Sequence, residues 1–151
     1  MKRSAAGRSI VTFVALFTII SPYVADWNET HIYNPHWPPH AKVHNAQTML
    51  LGLLLGVGAL WYAWKPVRDA GSRHIHFRVA LWFAAAYWVT QSLSILFPGT
   101  AFIDPEFGAG VPRLAGLLVQ LAVDFTVFLL LGVAWYLEDK AFKQTNIRQR
   151  A

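Results

Sequence analysis

An acid in the middle of an apolar run needs a physical reason. Asp124 lies inside LAGLLVQLAVDFTVFLLLGVAWYL, where a carboxylate at the centre of a membrane-spanning helix costs about 2.5–3.5 kcal/mol on insertion scales. Gln120 precedes it by four residues, so both fall on one helical face. A second polar stripe is Tyr87, Gln91 and Ser94, with Thr90 beside it. A third is His40, His44 and Gln47, spaced i, i+4, i+7 behind the prolines of HIYNPHWPPHAKVH. Histidine titrates near neutral pH and serves as general acid or base. The expected catalytic pair is therefore Asp124 with His44. His40, Gln47, Tyr87, Gln91 and Gln120 are the expected substrate-binding residues. The same histidines offer a competing chemistry, since imidazole nitrogens suit Zn, Cu or Ni. His36, His40 and His44, with His31 nearby, are the alternative metal ligands. A third reading is a rigid interfacial turn, fixed by Pro35, Pro38 and Pro39 and anchored by Tyr33 and Trp37.

The elements that must hold these groups are apolar. Hydrophobic residues make up 55% of the 151-residue chain, charged residues only 14%, and the mean hydropathy is +0.35. A soluble domain carries about 25% charged residues. Four spans are expected, over residues 9–25, 41–64, 77–97 and 114–137, in one domain covering 1–151. Each of the last three reaches the roughly 20 residues that cross a bilayer. The first is short. It has the basic start and apolar centre of a signal peptide, but cleavage after Ala25 would place Tyr23 where a small residue is wanted. The expected fold is all-α, an integral membrane bundle of four transmembrane helices.

The net charge of +5 sorts by side rather than marking a nucleic-acid partner. Lys2, Arg3 and Arg8 precede the first span. Lys65, Arg68, Arg73 and Arg78 flank the second connection, and Lys140, Lys143, Arg148 and Arg150 follow the last span. Only Lys42 and Arg113 fall on the other side, so both termini are expected in the cytoplasm. The acids Asp26, Glu29, Asp104 and Glu106 lie outside. His74 and His76 read as solvated loop residues, and KQTNIRQR as a frayed tail. The polar stripes then share the outer half of the membrane. At 1.5 Å rise per residue, Gln91 and Gln120 each lie roughly 9 Å below the outer end of their spans.

Several classes are excluded. With no cysteine there is no disulfide framework and no thiolate zinc site. Glycine-rich phosphate loops and nucleophile elbows are absent, so the sequence requires no cofactor. Gly52 and Gly56 (GLLLG) suit close helix contact, with a membrane partner, a second copy or within the chain.

The block NETHIYNPHWPPHAKVHNAQT resembles the signature of a family of small four-span membrane proteins without assigned function. Asn28, Thr30, His31, Asn34, Pro35, Trp37, Pro38, Pro39, His40, His44 and Gln47 carry the likeness. It implies a fold and a membrane location, and no activity. A looser architectural likeness is to sterol-isomerase-type four-helix membrane proteins, which enclose a lipophilic ligand and move protons with intramembrane acids. The usual pair of acids is missing here, since only Asp124 is expected to be buried. The expected function is binding or transformation of a lipophilic small molecule by proton transfer, in a multi-pass protein of the cell membrane. The alternatives are a histidine-based metal-binding or transport accessory protein and a non-catalytic membrane subunit. Whether the protein is an enzyme is left open by the residues.

Overall fold

The computed structural model describes residues 5–104, 107, 113–114 and 117–150. Its regular elements are four helices, α1 (Ala5–Asp26), α2 (Pro39–Trp64), α3 (Ala70–Ser94) and α4 (Val119–Arg150), and two short strands, β1 (Arg113–Leu114) and β2 (Leu117–Leu118). The strands pair antiparallel, Arg113 opposite Leu118 and Leu114 opposite Leu117. The fold is all-α apart from this clasp. Lys2, Arg3, Glu106 and Gly116 lie outside the described residues.

Local chemistry explains the helix ends. Pro38 is extended (φ −66°, ψ 154°) and Pro39 opens α2, where a missing N–H costs nothing. Asp69 caps α3 by accepting from the Ser72 amide at 2.8 Å, one of the donors a helix start leaves open. Beyond α3, the Thr100 amide donates to the Phe97 carbonyl. Pro98 and Gly99 occupy the centre of that turn. Gly99 has φ +79°, as the third position of a type II turn demands.

The helices pack side by side, α1 on α2, α2 on α3, α3 on α4 and α4 on α1. Small residues set the spacing. A side chain at Gly52 would meet Pro22 and the Thr18 carbonyl at 2.9 Å, and one at Gly56 would meet Ile19 and the Ala15 carbonyl. The GLLLG pattern is therefore used within the chain, against α1. Pro22 lies inside α1 and has no N–H for the Thr18 carbonyl. The core holds Val11, Val14, Ala59, Ala63, Phe77, Ala80, Ala84, Trp88, Val127 and Ala134. Across it Trp88 Nε1 donates to Thr18 Oγ1 (2.8 Å), which donates to the Val14 carbonyl (2.9 Å).

Helices α1, α2 and α4 are long and apolar enough to cross a membrane, which suggests a membrane protein. The outward faces agree. Phe13, Leu54, Trp82 and Phe125 are each at least three-fifths exposed, a pattern that suits lipid and not water. α3 does not meet that criterion of length and apolarity; its C-terminal part carries Tyr87, Thr90, Gln91, Ser92 and Ser94.

Three expectations change. The last helix does not start at residue 114: Arg113–Leu114 and Leu117–Leu118 pair as the clasp, and α4 begins at Val119. The C-terminal tail is not frayed, since α4 runs to Arg150. His74 and His76 are not loop residues. They lie in α3, half-buried, with His74 stacked on Phe142 (4.2 Å) and His76 edge-on to Tyr62 (5.5 Å).

Candidate functional site

A cleft of about 710 Å³ opens at the end of the helices where α1 stops and α2 starts. All four helices contribute to it. Phe17, Leu51 and Trp88 give it apolar walls, and Tyr87, Thr90, Gln91, Ser94 and Gln120 give it polar ones. These polar residues come from the stripes on α3 and α4, which the helical period of 3.6 holds in line.

Asp124 lies just behind this wall, only 4% exposed. Its two oxygens accept from Gln91 Nε2 and Ser92 Oγ, both at 2.8 Å. The acid thus ties α4 to α3. Ser92 escaped the sequence reading because it sits off the Tyr87–Gln91–Ser94 stripe.

The third expected stripe does not join the cleft. His40, His44 and Gln47 are exposed on α2, so His44 is not set against Asp124. The reason is the register of α2. Asn45, Met49, Gly52 and Gly56 form its buried face, because the glycines allow the closest approach to α1. His40 and His44 do meet each other, Nε2 to Nε2 at 3.1 Å. His36 does not complete a trio: among the described residues no three His, Cys, Asp or Glu side chains converge on a metal position. Its amide instead closes a turn onto Asn34 Oδ1 (2.8 Å).

A different titratable pair faces the cleft. Asp26, the last residue of α1, and His31 both line it. His31 Nε2 stands 3.8 Å from Asp26 Oδ1, and Asp26 Oδ2 accepts from Asn45 Nδ2 of α2 (2.8 Å). The chain between them folds back through side-chain turns. The Thr30 amide donates to Asn28 Oδ1 (2.8 Å), and the Asn28 amide group donates to the Ala25 carbonyl (2.6 Å). Buried Asn34 makes the next such turn, with His36, and donates to the Thr30 carbonyl (3.3 Å). His31 also packs edge-on against Trp37 (5.0 Å). The signal was in the sequence as Asn28-x-Thr30 and Asn34-x-His36, spaced for asparagine turns.

A second polar cluster, which the sorting of charges hid, lies at the opposite end of the helices. Arg8 and Glu138 are buried there. The Arg8 guanidinium lies over the Trp64 ring (5.7 Å), and Trp64 Nε1 donates to Thr12 Oγ1 (2.9 Å).

Residues 10–149 match a family of unknown function (DUF6640). The chain belongs to this family. The match begins within α1 and ends within α4. No curated protein and no solved structure matches the chain.

Proposed function

We propose that the protein is a multi-pass protein of the cell membrane whose cleft receives a lipophilic small molecule by its polar head. All four helices cross in this reading, with both termini in the cytoplasm, as the distribution of lysine and arginine favours. The observation that carries it is the cleft itself: about 710 Å³, formed by all four helices, apolar on the Phe17–Leu51–Trp88 side and polar on the Tyr87–Gln91–Gln120 side. That volume lies in the range of small-molecule sites, which pair apolar walls with a few placed polar groups. α3 turns Tyr87, Thr90, Gln91 and Ser94 to the cleft and Trp82 outward, 72% exposed. A helix so arranged can cross lipid as the fourth span.

The test is native mass spectrometry of protein released gently from its membrane. A bound organic molecule is expected on the wild type and not on Leu51→Trp, which fills the cleft from its apolar wall. A wild type that carries nothing, or a variant that retains the molecule, would overturn the reading.

The His40–His44 pair favours a second reading, a metal-binding accessory role. Two nitrogens 3.1 Å apart can meet one ion at the usual 2.0–2.1 Å ligand distance. The remaining ligands would come from outside the chain. A metal adduct that disappears in the His40→Ala, His44→Ala double variant would support it, and one that survives would remove it.

A further inference from the structure

Two hydrogen-bond acceptors confront each other in the cleft. The Thr30 amide donates to Asn28 Oδ1 (2.8 Å), and Thr30 Oγ1 lies 2.6 Å from the same oxygen. An amide oxygen has no proton, so the Thr30 hydroxyl must donate there. Its other contact is His31 Nδ1 at 2.7 Å. With its proton spent, the hydroxyl accepts, and Nδ1 carries the N–H of the ring. In the neutral ring Nε2 is then an acceptor. It stands 3.8 Å from Asp26 Oδ1, a second acceptor. Asn45 Nδ2 takes the other oxygen of that carboxylate (2.8 Å). The gap is too long for a direct hydrogen bond, and what belongs in it is a donor to both sides.

Proton count and charge narrow that donor. An alcohol has one proton and satisfies one acceptor, not two. Water has two protons but leaves the charge of Asp26 uncompensated. A primary ammonium has three N–H donors, no acceptor and a positive charge. Placed about 2.8 Å from each acceptor, its nitrogen would see them at an angle of about 85°. Two N–H bonds of a tetrahedral nitrogen diverge by about 109°, so each hydrogen bond would lie only about 12° off line. The rest of the cleft agrees. Asp26 is the one carboxylate among the described residues that line it, and none of those residues is a lysine or arginine. A phosphate attached to the amine would therefore find no cation there. Phe17 and Leu51 offer an apolar wall to a tail.

We propose that the cleft binds a lipophilic amine without a phosphate, whose primary ammonium head bridges His31 Nε2 and Asp26 Oδ1. The amine binds already protonated, so no proton changes hands. Thr30 and Asn28 are positioning residues that hold His31 in the accepting form. Asn45 positions the carboxylate from α2. The proposal rests on the cleft being a ligand site.

The experiment uses the full chain in non-ionic detergent with ¹⁵N-labelled histidine, at about pH 8, above the ordinary range of imidazole. The probes are dodecylamine, 1-dodecanol, dodecyltrimethylammonium and a lysophosphatidylethanolamine of the same chain length. Native mass spectrometry counts what is bound, and Leu51→Trp is the blocked control. The imidazole nitrogen shifts of His31 are expected to report the Nδ1–H form. Dodecylamine should move the Nε2 resonance as an accepted hydrogen bond does, and bind at least about tenfold more tightly than the alcohol, the worth of a hydrogen bond to a charged group. Dodecyltrimethylammonium, a cation with no N–H, should leave Nε2 where it is. Asp26→Asn should weaken the amine at least about tenfold and spare the alcohol. Thr30→Val frees the ring to take the Nε2–H form, and should also weaken the amine alone. An Nε2–H ring in the wild type overturns the proposal. So does an alcohol bound as tightly as the amine, or amine binding unchanged by Asp26→Asn; either leaves the cleft as a ligand site. Tighter binding of the lysophospholipid would overturn the exclusion of phosphate and assign the ammonium to a lipid headgroup. If no probe gives an adduct that Leu51→Trp removes, the cleft itself is refuted as a site for such molecules.

Discussion

Replacing Asp124 by leucine isolates what the buried acid does for the fold. Asp124 accepts from Gln91 Nε2 and Ser92 Oγ, each at 2.8 Å. Leucine removes both acceptors and keeps the bulk. Ser92 can turn its hydroxyl to a carbonyl of its own helix one turn back, so its loss is small. Gln91 cannot do so at the same position, and a donor left unpaired in a buried site costs about 1–3 kcal/mol. Gln91 is only half-buried and borders the cleft, so the lower end applies, about 1 kcal/mol. Interhelical hydrogen bonds in membranes average about 0.6 kcal/mol, which agrees in scale. The assay is thermal unfolding in detergent of the wild type, Asp124→Leu, Gln91→Leu and the double variant. Asp124→Leu should be less stable by about 1 kcal/mol. Adding Gln91→Leu to it should cost less than Gln91→Leu costs alone, because the stranded donor leaves with the side chain. Strict additivity would refute the reasoning, since it would mean that the two residues are not energetically joined. Asp124→Asn should stay near the wild type, because its amide keeps one acceptor and Ser92 can reverse its bond.

Other substitutions probe the remaining contacts. Gly56→Leu should destabilise by about 1–3 kcal/mol, the usual range for overpacking, because its side chain meets Ile19 and the Ala15 backbone; unchanged thermal unfolding would show that α1 and α2 are not closely packed. Thr18→Val strands the Trp88 indole N–H and should cost about 1–3 kcal/mol, with a shift in tryptophan emission; identical emission and stability would argue against that bond. The Asp69 carboxyl is held below its ordinary value of 3.8 by hydrogen bonds from Ser72. Its contribution is therefore complete above that value and lost as the pH falls through the lower, folded value. Asp69→Asn should flatten this acid limb of the unfolding profile, and an unchanged limb would assign the pH dependence elsewhere.

The parts of the site that follow a helical repeat were legible. Tyr87, Gln91, Gln120 and Asp124 could be grouped from their spacing, because α3 and α4 keep the helical repeat. The face of α2 was harder, because two stripes competed for the interior. The histidine stripe looked functional, but burial went to Gly52 and Gly56, which permit the closest approach to α1. The Asp26–His31 pair had no period to reveal it. It depends on asparagine side chains bending the backbone, and on Asn45 arriving from another helix. Arg8 and Glu138 were hidden for another reason. Counting charges by side treats the helix ends as wet, whereas α1 starts at Ala5 and α4 continues past residue 137, which carries both residues into the packed region.

The length of α4 has its own consequence. Its 32 residues make a rod about 48 Å long at 1.5 Å per residue, against a hydrocarbon layer of about 30 Å. A span anchored at Val119 would leave several turns projecting beyond the lipid. Anything fused after Arg150 would then be carried on a stiff mast at a fixed height and azimuth. A fluorophore there would report the tilt of the helix, and not merely which side of the bilayer it occupies.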